Sequence, residues 1–498
     1  MSFALRSWVG ALAALSVFSL STLVVAGCGD DDDGPAAADA ALGPDGAATD
    51  GGSPDAPPGD ILERLNAIPG LHATEPPPPG EGQPQLPEGY RFFTIDFDQP
   101  VDHAHPEGQH FTQRFRLMHH DEHAPMVQHT GGYGVSSRPF RHELTKMTNG
   151  NQITVEHRYF DPSIPTDPTD WSYLTIEQSA ADFHAINQAL RTIYDGKWVS
   201  AGESKGGMTS LFNRRFYPDD VDATVAYVAP IMTAADDARF QPFIEHVGGD
   251  AQASCRAALV AFQRAALSHK ADILPLVDAD SAMNGMTYDI LGEEQAFEHA
   301  VLESVFAFWQ YGDASLCADI PPEGATAQQL YDFLEEVNGI ENVSDLFVAY
   351  YTPYYYQAGT QFGWPGLAVP AIADLMHFAT TDVPATYATT TGATLTYDPH
   401  SMADVLDWLS TSGERIIFVY GENDPWSAAA ADFGNAREAF RYVQPAGNHG
   451  SKITTLAEAD RAAAMASLSD WLGVTLTLPM AKPGQAPEPD MPLVRTPL

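Results

Sequence analysis

The chain is 498 residues long and carries 25 lysines and arginines against 66 aspartates and glutamates, a formal net charge of −41. That balance argues against nucleic acid or an anionic membrane surface as a partner, because such surfaces are bound through clustered basic side chains. With 44% hydrophobic and 10% aromatic residues, the chain has a globular composition and is long enough for one large domain or two smaller ones.

At the N-terminus, Arg6 precedes an apolar stretch from Val9 to Val25, and Val25-Ala26-Gly27 runs into Cys28. This reads as a lipoprotein-type export signal over residues 1–27, with Cys28 becoming the lipidated first residue after cleavage. An uncleaved signal anchor is the competing reading, with an apolar run barely long enough to span a bilayer. The expected location is therefore outside the cytoplasm, lipid-anchored to a bacterial membrane or cell surface. Residues 28–60 hold four consecutive aspartates and then mostly Ala, Gly, Pro and Asp. Such a segment cannot bury enough apolar surface to offset its chain entropy, so it reads as a disordered tether. Apart from Cys28, the chain has only Cys255 and Cys317, which are expected to pair in an oxidising compartment.

The folded body is expected to begin near Ile61. Residues 90–97 and 109–119 alternate like an antiparallel strand pair. Short apolar strands follow at 125–129, leading into Thr130-Gly131-Gly132-Tyr133-Gly134, and at 152–158. Ile176, Ala180, Phe183, Ile186, Leu190 and Ile193 keep the spacing of an amphipathic helix. A β-prone run then enters Gly202-Glu203-Ser204-Lys205-Gly206-Gly207, and a helix-compatible run leaves it. Residues 223–228 read as the next buried strand. The strand–helix rhythm then lapses from about 231 to 402, where helices and aromatic-rich loops predominate. It returns with Ile416–Tyr420, followed by Asn423-Asp424-Pro425-Trp426, and with a last strand near 440–443 leading into Asn448-His449-Gly450. A closing helix runs from about 456 to 471, and a Pro-rich tail follows from 479 to 498.

Gly-x-Ser-x-Gly between a strand and a helix is the sequence form of a nucleophile elbow. Ser204, Asp424 and His449 each follow a separate strand, in the order Ser, Asp, His, which is the order of the α/β-hydrolases. Asp432 is a weaker rival for the acid, and Asp424 could merely cap a helix. In this reading the backbone N–H of Lys205, with that of Gly132 or Tyr133, forms the oxyanion hole. The interval between Ser204 and Asp424 exceeds what a bare core needs. The fold class is therefore α/β, with a first core part over 61–230, a mainly helical cap over 231–402 and a second core part over 403–478. No metal or other cofactor is expected, since no His-x-x-x-His pair with a helical Glu is present.

Several strings together resemble the PS-10 family of secreted bacterial prolyl tripeptidyl aminopeptidases of the serine type. They are Glu156-His157-Arg158-Tyr159-Phe160, the segment Gly202–Thr209, Arg215-Phe216-Tyr217-Pro218, Tyr227-Val228-Ala229-Pro230, Asn423-Asp424-Pro425-Trp426 and Asn448-His449-Gly450. The resemblance runs from about residue 85 to 475, and Ser-Lys-Gly-Gly-Met-Thr is its most specific part. It implies the triad Ser204, Asp424 and His449. It also implies a peptide substrate with a free amino end, cut after three residues with proline favoured before the cut. A lipoprotein-like start is a departure from that pattern. Such an enzyme must recognise an ammonium group, and Glu203 and Glu156 are the carboxylates nearest the motifs. Trp426 and the tyrosines between 351 and 356 are candidate walls for a proline ring. Three other readings stay open: a capped esterase or lipase, a related prolyl carboxypeptidase or dipeptidyl peptidase, and a non-catalytic surface lipoprotein.

Overall fold

The structure, a computed structural model, describes residues 59–77, 85–166, 169–367 and 370–479. The expected export signal, lipidation site Cys28, nearly all of the tether and almost the whole Pro-rich tail lie outside the described residues.

Nine strands form one sheet among the described residues: β1 (Leu71–Thr74), β2 (Arg91–Pro100), β3 (His110–His119), β4 (Met126–Thr130), β5 (Asn151–Val155), β6 (Trp198–Glu203), β7 (Ala223–Tyr227), β8 (Glu414–Gly421) and β9 (Arg437–Gln444). Their spatial order is β1-β2-β3-β5-β4-β6-β7-β8-β9. The β1–β2, β2–β3 and β3–β5 pairs are antiparallel. From β5 to β9 all pairs are parallel. The central strands β4 to β7 are buried along almost their whole length because both sheet faces are covered. Along β6, Trp198 enters a cluster with Phe183, Ile186 and Leu190 of the helix Ile176–Leu190. Val199 and Ala201 enter another with Ala464, Leu468 and Trp471 of the closing helix Glu458–Leu472. Period-two alternation thus assigns each neighbour to one helical layer.

Between β7 and β8 the chain is helical, apart from one isolated bridge between Asp237 and Pro365. The helix Glu293–Tyr311 is the centre of this insertion: from Ala296 to Gln310 every residue is buried. A helix apolar on all sides belongs inside a helical layer. Cys255 and Cys317 are joined by a disulfide that ties the helix Ala253–Ser268 to the short turn Ala314–Ala318. The helix Pro399–Ser412 runs across the expected cap boundary at 402 and leads into β8. Its Asp404 pairs with Arg215 of the helix Lys205–Phe216 at 2.8 Å. The described residues from 59 onward form one compact unit.

Candidate active site

Ser204 sits between β6 and the helix Lys205–Phe216 with φ 55° and ψ −124°, a backbone setting that non-glycine residues rarely adopt. Close packing of the elbow explains the glycines around it. A Cβ at Gly206 would lie 2.0 Å from the Thr130 carbonyl oxygen, and one at Gly202 2.4 Å from the same atom. The turn is held by the Ser204 N–H donating to the Tyr227 carbonyl at 2.9 Å and by the Thr130 hydroxyl donating to the Gly206 carbonyl at 2.6 Å.

Past β8, the buried Asp424 caps the turn Pro425–Ala429 through one oxygen, accepting from the Trp426 N–H at 3.1 Å. Its other oxygen lies 2.8 Å from His449 Nδ1. The two readings of Asp424, cap and imidazole partner, are therefore both realised, one on each oxygen. Asp432 is exposed and accepts from the Gly434 N–H, away from any imidazole. His449 follows β9, and the cap fixes its loop. The His449 N–H donates to the Gln310 carbonyl at 2.9 Å, and the Asn448 amide donates to the Tyr311 and Gly312 carbonyls at 3.1 and 2.9 Å. Asp424 beside Nδ1 places the imidazole proton there, so Nε2 is left as a base. Nε2 is buried and has no hydrogen-bond partner among the described residues.

The oxyanion side is built from Gly131–Gly134 and the start of the helix after Ser204. Gly132 has φ +76°, and a Cβ there would lie 2.7 Å from the Gly206 nitrogen, so this loop lies against the helix N-terminus. Among the described residues, neither the Lys205 N–H nor the Tyr133 N–H takes a backbone or side-chain acceptor. The Lys205 side chain adds a contact that the sequence did not announce. Its buried Nζ donates to the Gly132 carbonyl at 2.5 Å, with the rings of Tyr133, Phe160 and Phe362 around it. Burial pushes this amine well below the usual lysine value. In a planar trans peptide the N–H points opposite to the C=O. Holding the Gly132 carbonyl therefore aims the Tyr133 N–H away from Lys205 Nζ.

Trp426 lies beside this group. Its ring is 6.4 Å from that of His449 and packs edge-on to Phe240 and Phe306, so it is a wall residue buried in the cap–core junction. The two sequence candidates for an ammonium partner are engaged elsewhere. Glu203 accepts from His129 Nε2 and His142 Nε2, each at 3.0 Å, one on each oxygen. Burial disfavours its charge, but the two histidines outweigh that and hold the carboxyl well below its usual value. Glu156 accepts from the Ser163 hydroxyl at 2.7 Å and from the Val135 N–H at 3.2 Å, bracing the loop after Gly134. Burial lifts it to about 7 despite those bonds.

Among the described residues, two groups have spacing that could suit a metal: His129, His142 and Glu203, and Glu294, Glu298 and His377. In the first, His142 Nδ1 accepts from the Leu144 N–H at 3.2 Å, so its proton sits on Nε2, the atom a metal would need. In the second, Lys270 already bridges Glu294 and Glu298. Neither donor set fits a resident ion.

A family model described as PS-10 peptidase S37 matches residues 54–494. The prolyl tri/tetrapeptidyl aminopeptidase of Streptomyces mobaraensis is 39% identical over 439 residues, covering 87% of this chain and 89% of that protein. A shorter likeness links the chain to the lysosomal Pro-X carboxypeptidase of Bos taurus, 26% identical over 152 residues, or 27% of this chain and 30% of that one. Among solved structures, proline iminopeptidase of Mycobacterium smegmatis aligns with a TM-score of 0.38 and 15% identity, over 76% of this chain and 99% of that one. With its order of strands and its elbow serine, the chain belongs to the PS-10 peptidase S37 family and is a serine peptidase on an α/β-hydrolase fold.

Proposed function

We propose that the protein removes short peptides, chiefly tripeptides, from the free amino end of its substrates, with proline favoured before the cut. The observation that carries the chemistry is the buried, partner-free Nε2 of His449, whose other nitrogen is fixed by Asp424. His449 takes the Ser204 proton as Oγ attacks the scissile carbonyl carbon, and the Lys205 and Tyr133 N–H groups, beside Gly132, stabilise the oxyanion. The intermediate collapses, the imidazolium gives its proton to the departing amine, and an acyl-enzyme remains. Water, deprotonated by the same imidazole, then releases the peptide acid and regenerates Ser204. Specificity for the amino end rests on the Streptomyces mobaraensis relative, whose name states it.

The test uses Ala-Ala-Pro-nitroanilide beside short-chain nitrophenyl esters. Turnover of the anilide that Ser204→Ala lowers by about three orders of magnitude or more supports the reading. Ester cleavage without anilide cleavage would replace it with a capped esterase.

We also propose export and lipid anchoring through Cys28, on the strength of the apolar run and the small residues before it. Among the described residues no helix is long and apolar enough to cross a membrane. In cell fractionation, Cys28→Ser should shift the enzyme from the membrane to the soluble fraction or leave an unprocessed precursor. Unchanged fractionation would contradict the anchor.

A further inference from the structure

The cap holds a second group of buried ionisable side chains, away from the triad and from every motif in the sequence. Glu303, on the helix Glu293–Tyr311, is 2% exposed. Asp382 lies beside it and keeps partial exposure. Between them stands the hydroxyl of Tyr387, 2.9 Å from an Asp382 oxygen, 3.4 Å from a Glu303 oxygen and 2.8 Å from His299 Nδ1.

Proton counting shows what this group lacks. The Thr381 hydroxyl donates to the Phe378 carbonyl at 2.9 Å, so at 2.8 Å it accepts from His299 Nε2–H. Burial lowers His299 to about 4, so the ring is neutral and its Nδ1 is an acceptor. With both carboxyls ionised, three acceptors therefore face the single proton of Tyr387. Neither carboxylate has a cation beside it among the described residues. Burial, and then its neighbour Asp382, push Glu303 well above its usual value, only partly offset by Asn338 and Tyr387; burial lifts Asp382 to about 6. A second observation points the same way. Tyr355 is fully buried, its ring stacks on Tyr387 at 4.6 Å, and among the described residues its hydroxyl has no hydrogen-bond partner while lying in the field of Glu303 and Asp382.

The position of the group relative to the triad is equally informative. Tyr311, at the end of the same helix, has its ring 6.4 Å from that of His449. Glu303 precedes Tyr311 by eight positions, which at about 1.5 Å per residue is about 12 Å along the axis. An extended tripeptide spans at most about 10–11 Å. Aromatic rings connect the two ends: Tyr133 of the oxyanion loop lies 6.0 Å from Tyr354, Tyr354 lies 5.6 Å from Tyr355, and Tyr355 stacks on Tyr387.

We infer that Glu303 and Asp382, with the Tyr387 oxygen, bind the substrate's terminal ammonium and so set the length of the peptide removed. An ammonium brings the one positive charge and the three N–H donors that two carboxylates and a phenol oxygen can accept. The rise from Glu303 to Tyr311, the neighbour of His449, is of the order of a tripeptide's length, which would bring the third residue's carbonyl toward Ser204. This inference rests on the aminopeptidase reading above and gives it an anchor in place of Glu203 and Glu156.

The experiment compares kcat/KM for Ala-Ala-Pro-nitroanilide with that for propionyl-Ala-Pro-nitroanilide, which lacks only the amino group. It is run on the wild-type enzyme, Glu303→Gln and Asp382→Asn, with fluorophosphonate labelling of the nucleophile reporting whether each variant is folded. The wild type should prefer the free amine by about two to three orders of magnitude, the loss expected when a buried charge is left without its partner. In each variant that preference should fall to within about tenfold of unity, whereas a merely structural role would lower both substrates together and keep the ratio. If the wild type discriminates and a labelled variant keeps the full ratio, the ammonium binds elsewhere and the inference is overturned. If the wild type labels but does not discriminate, the aminopeptidase reading itself falls. Should Glu303→Gln fail to label, the partly exposed Asp382→Asn decides.

Discussion

Buried charge is handled differently in the sheet and in the cap. On the sheet side, Arg158 grips both oxygens of Asp182 at 2.7 Å, Glu203 is held between His129 and His142, and Asp424 is paired with His449. In the cap, Glu303 and Asp382 share one phenol proton with a neutral histidine. A buried carboxylate without a partner costs several kcal/mol. A fold that pairs most of its buried carboxylates, Glu298 of the cap with Lys270 included, and leaves Glu303 and Asp382 short has, at these two, a place for a ligand's charge. The triad's buried charge is paired within the protein and positions the chemistry, while in this account Glu303 and Asp382 are completed by substrate.

That contrast can be broken at several points. Asp424→Asn should have the largest effect, a loss of about four orders of magnitude in kcat with the fold retained, because the amide favours the wrong imidazole tautomer. Steady-state kinetics beside an unchanged circular dichroism spectrum checks this. Glu203→Ala comes next. It leaves two buried imidazole N–H groups without an acceptor and should lower stability by about 3 kcal/mol in urea unfolding. The preference for a free amino end should persist in that variant; its disappearance would return Glu203 to the substrate side.

Glu156 is the intermediate case, hydrogen-bonded but without an ion pair among the described residues, and its effect shows only in the pH dependence of stability. Its carboxyl is raised to about 7 by burial. The folded protein therefore keeps a proton that the unfolded chain has lost above about pH 4.5. Stability from this group is full below that pH and declines as pH rises through 7, by on the order of 3 kcal/mol in all. The wild-type stability measured against Glu156→Gln should show that decline between pH 5 and 8. A flat difference would mean that Glu156 is ionised throughout.

What the sequence disclosed and what it concealed follow from the range of the interactions. The elbow was legible because close packing on Thr130 leaves room only for glycine at 202 and 206, and that constraint is local. The order of Ser204, Asp424 and His449 was legible because each follows a strand-forming stretch, buried and largely apolar in β6 and β8 and alternating in β9. The four-residue strand β1 and the helix Glu143–Thr148 went unread, both too short to show a period. The engagement of Glu203 was hidden because its two histidines come from β4 and the segment before that short helix, which only the folded sheet brings together. Glu303 and Asp382 carry no signal at all: one lies in a helix buried on every side, the other in a loop, and neither belongs to a motif. The reach of Lys205 to the Gly132 carbonyl was likewise hidden, because only its backbone role is encoded in the motif.

The central claim is that this serine peptidase measures its substrate from the free amino end. Mass spectrometry of the products from an unblocked peptide of repeated Ala-Ala-Pro units, and from its N-acetylated form, tests that most directly. The account predicts tripeptides released one after another from the amino end, with the acetylated peptide left intact on the same timescale. Equal consumption of the acetylated peptide, or cuts that begin in its interior or at its carboxyl end, would contradict it.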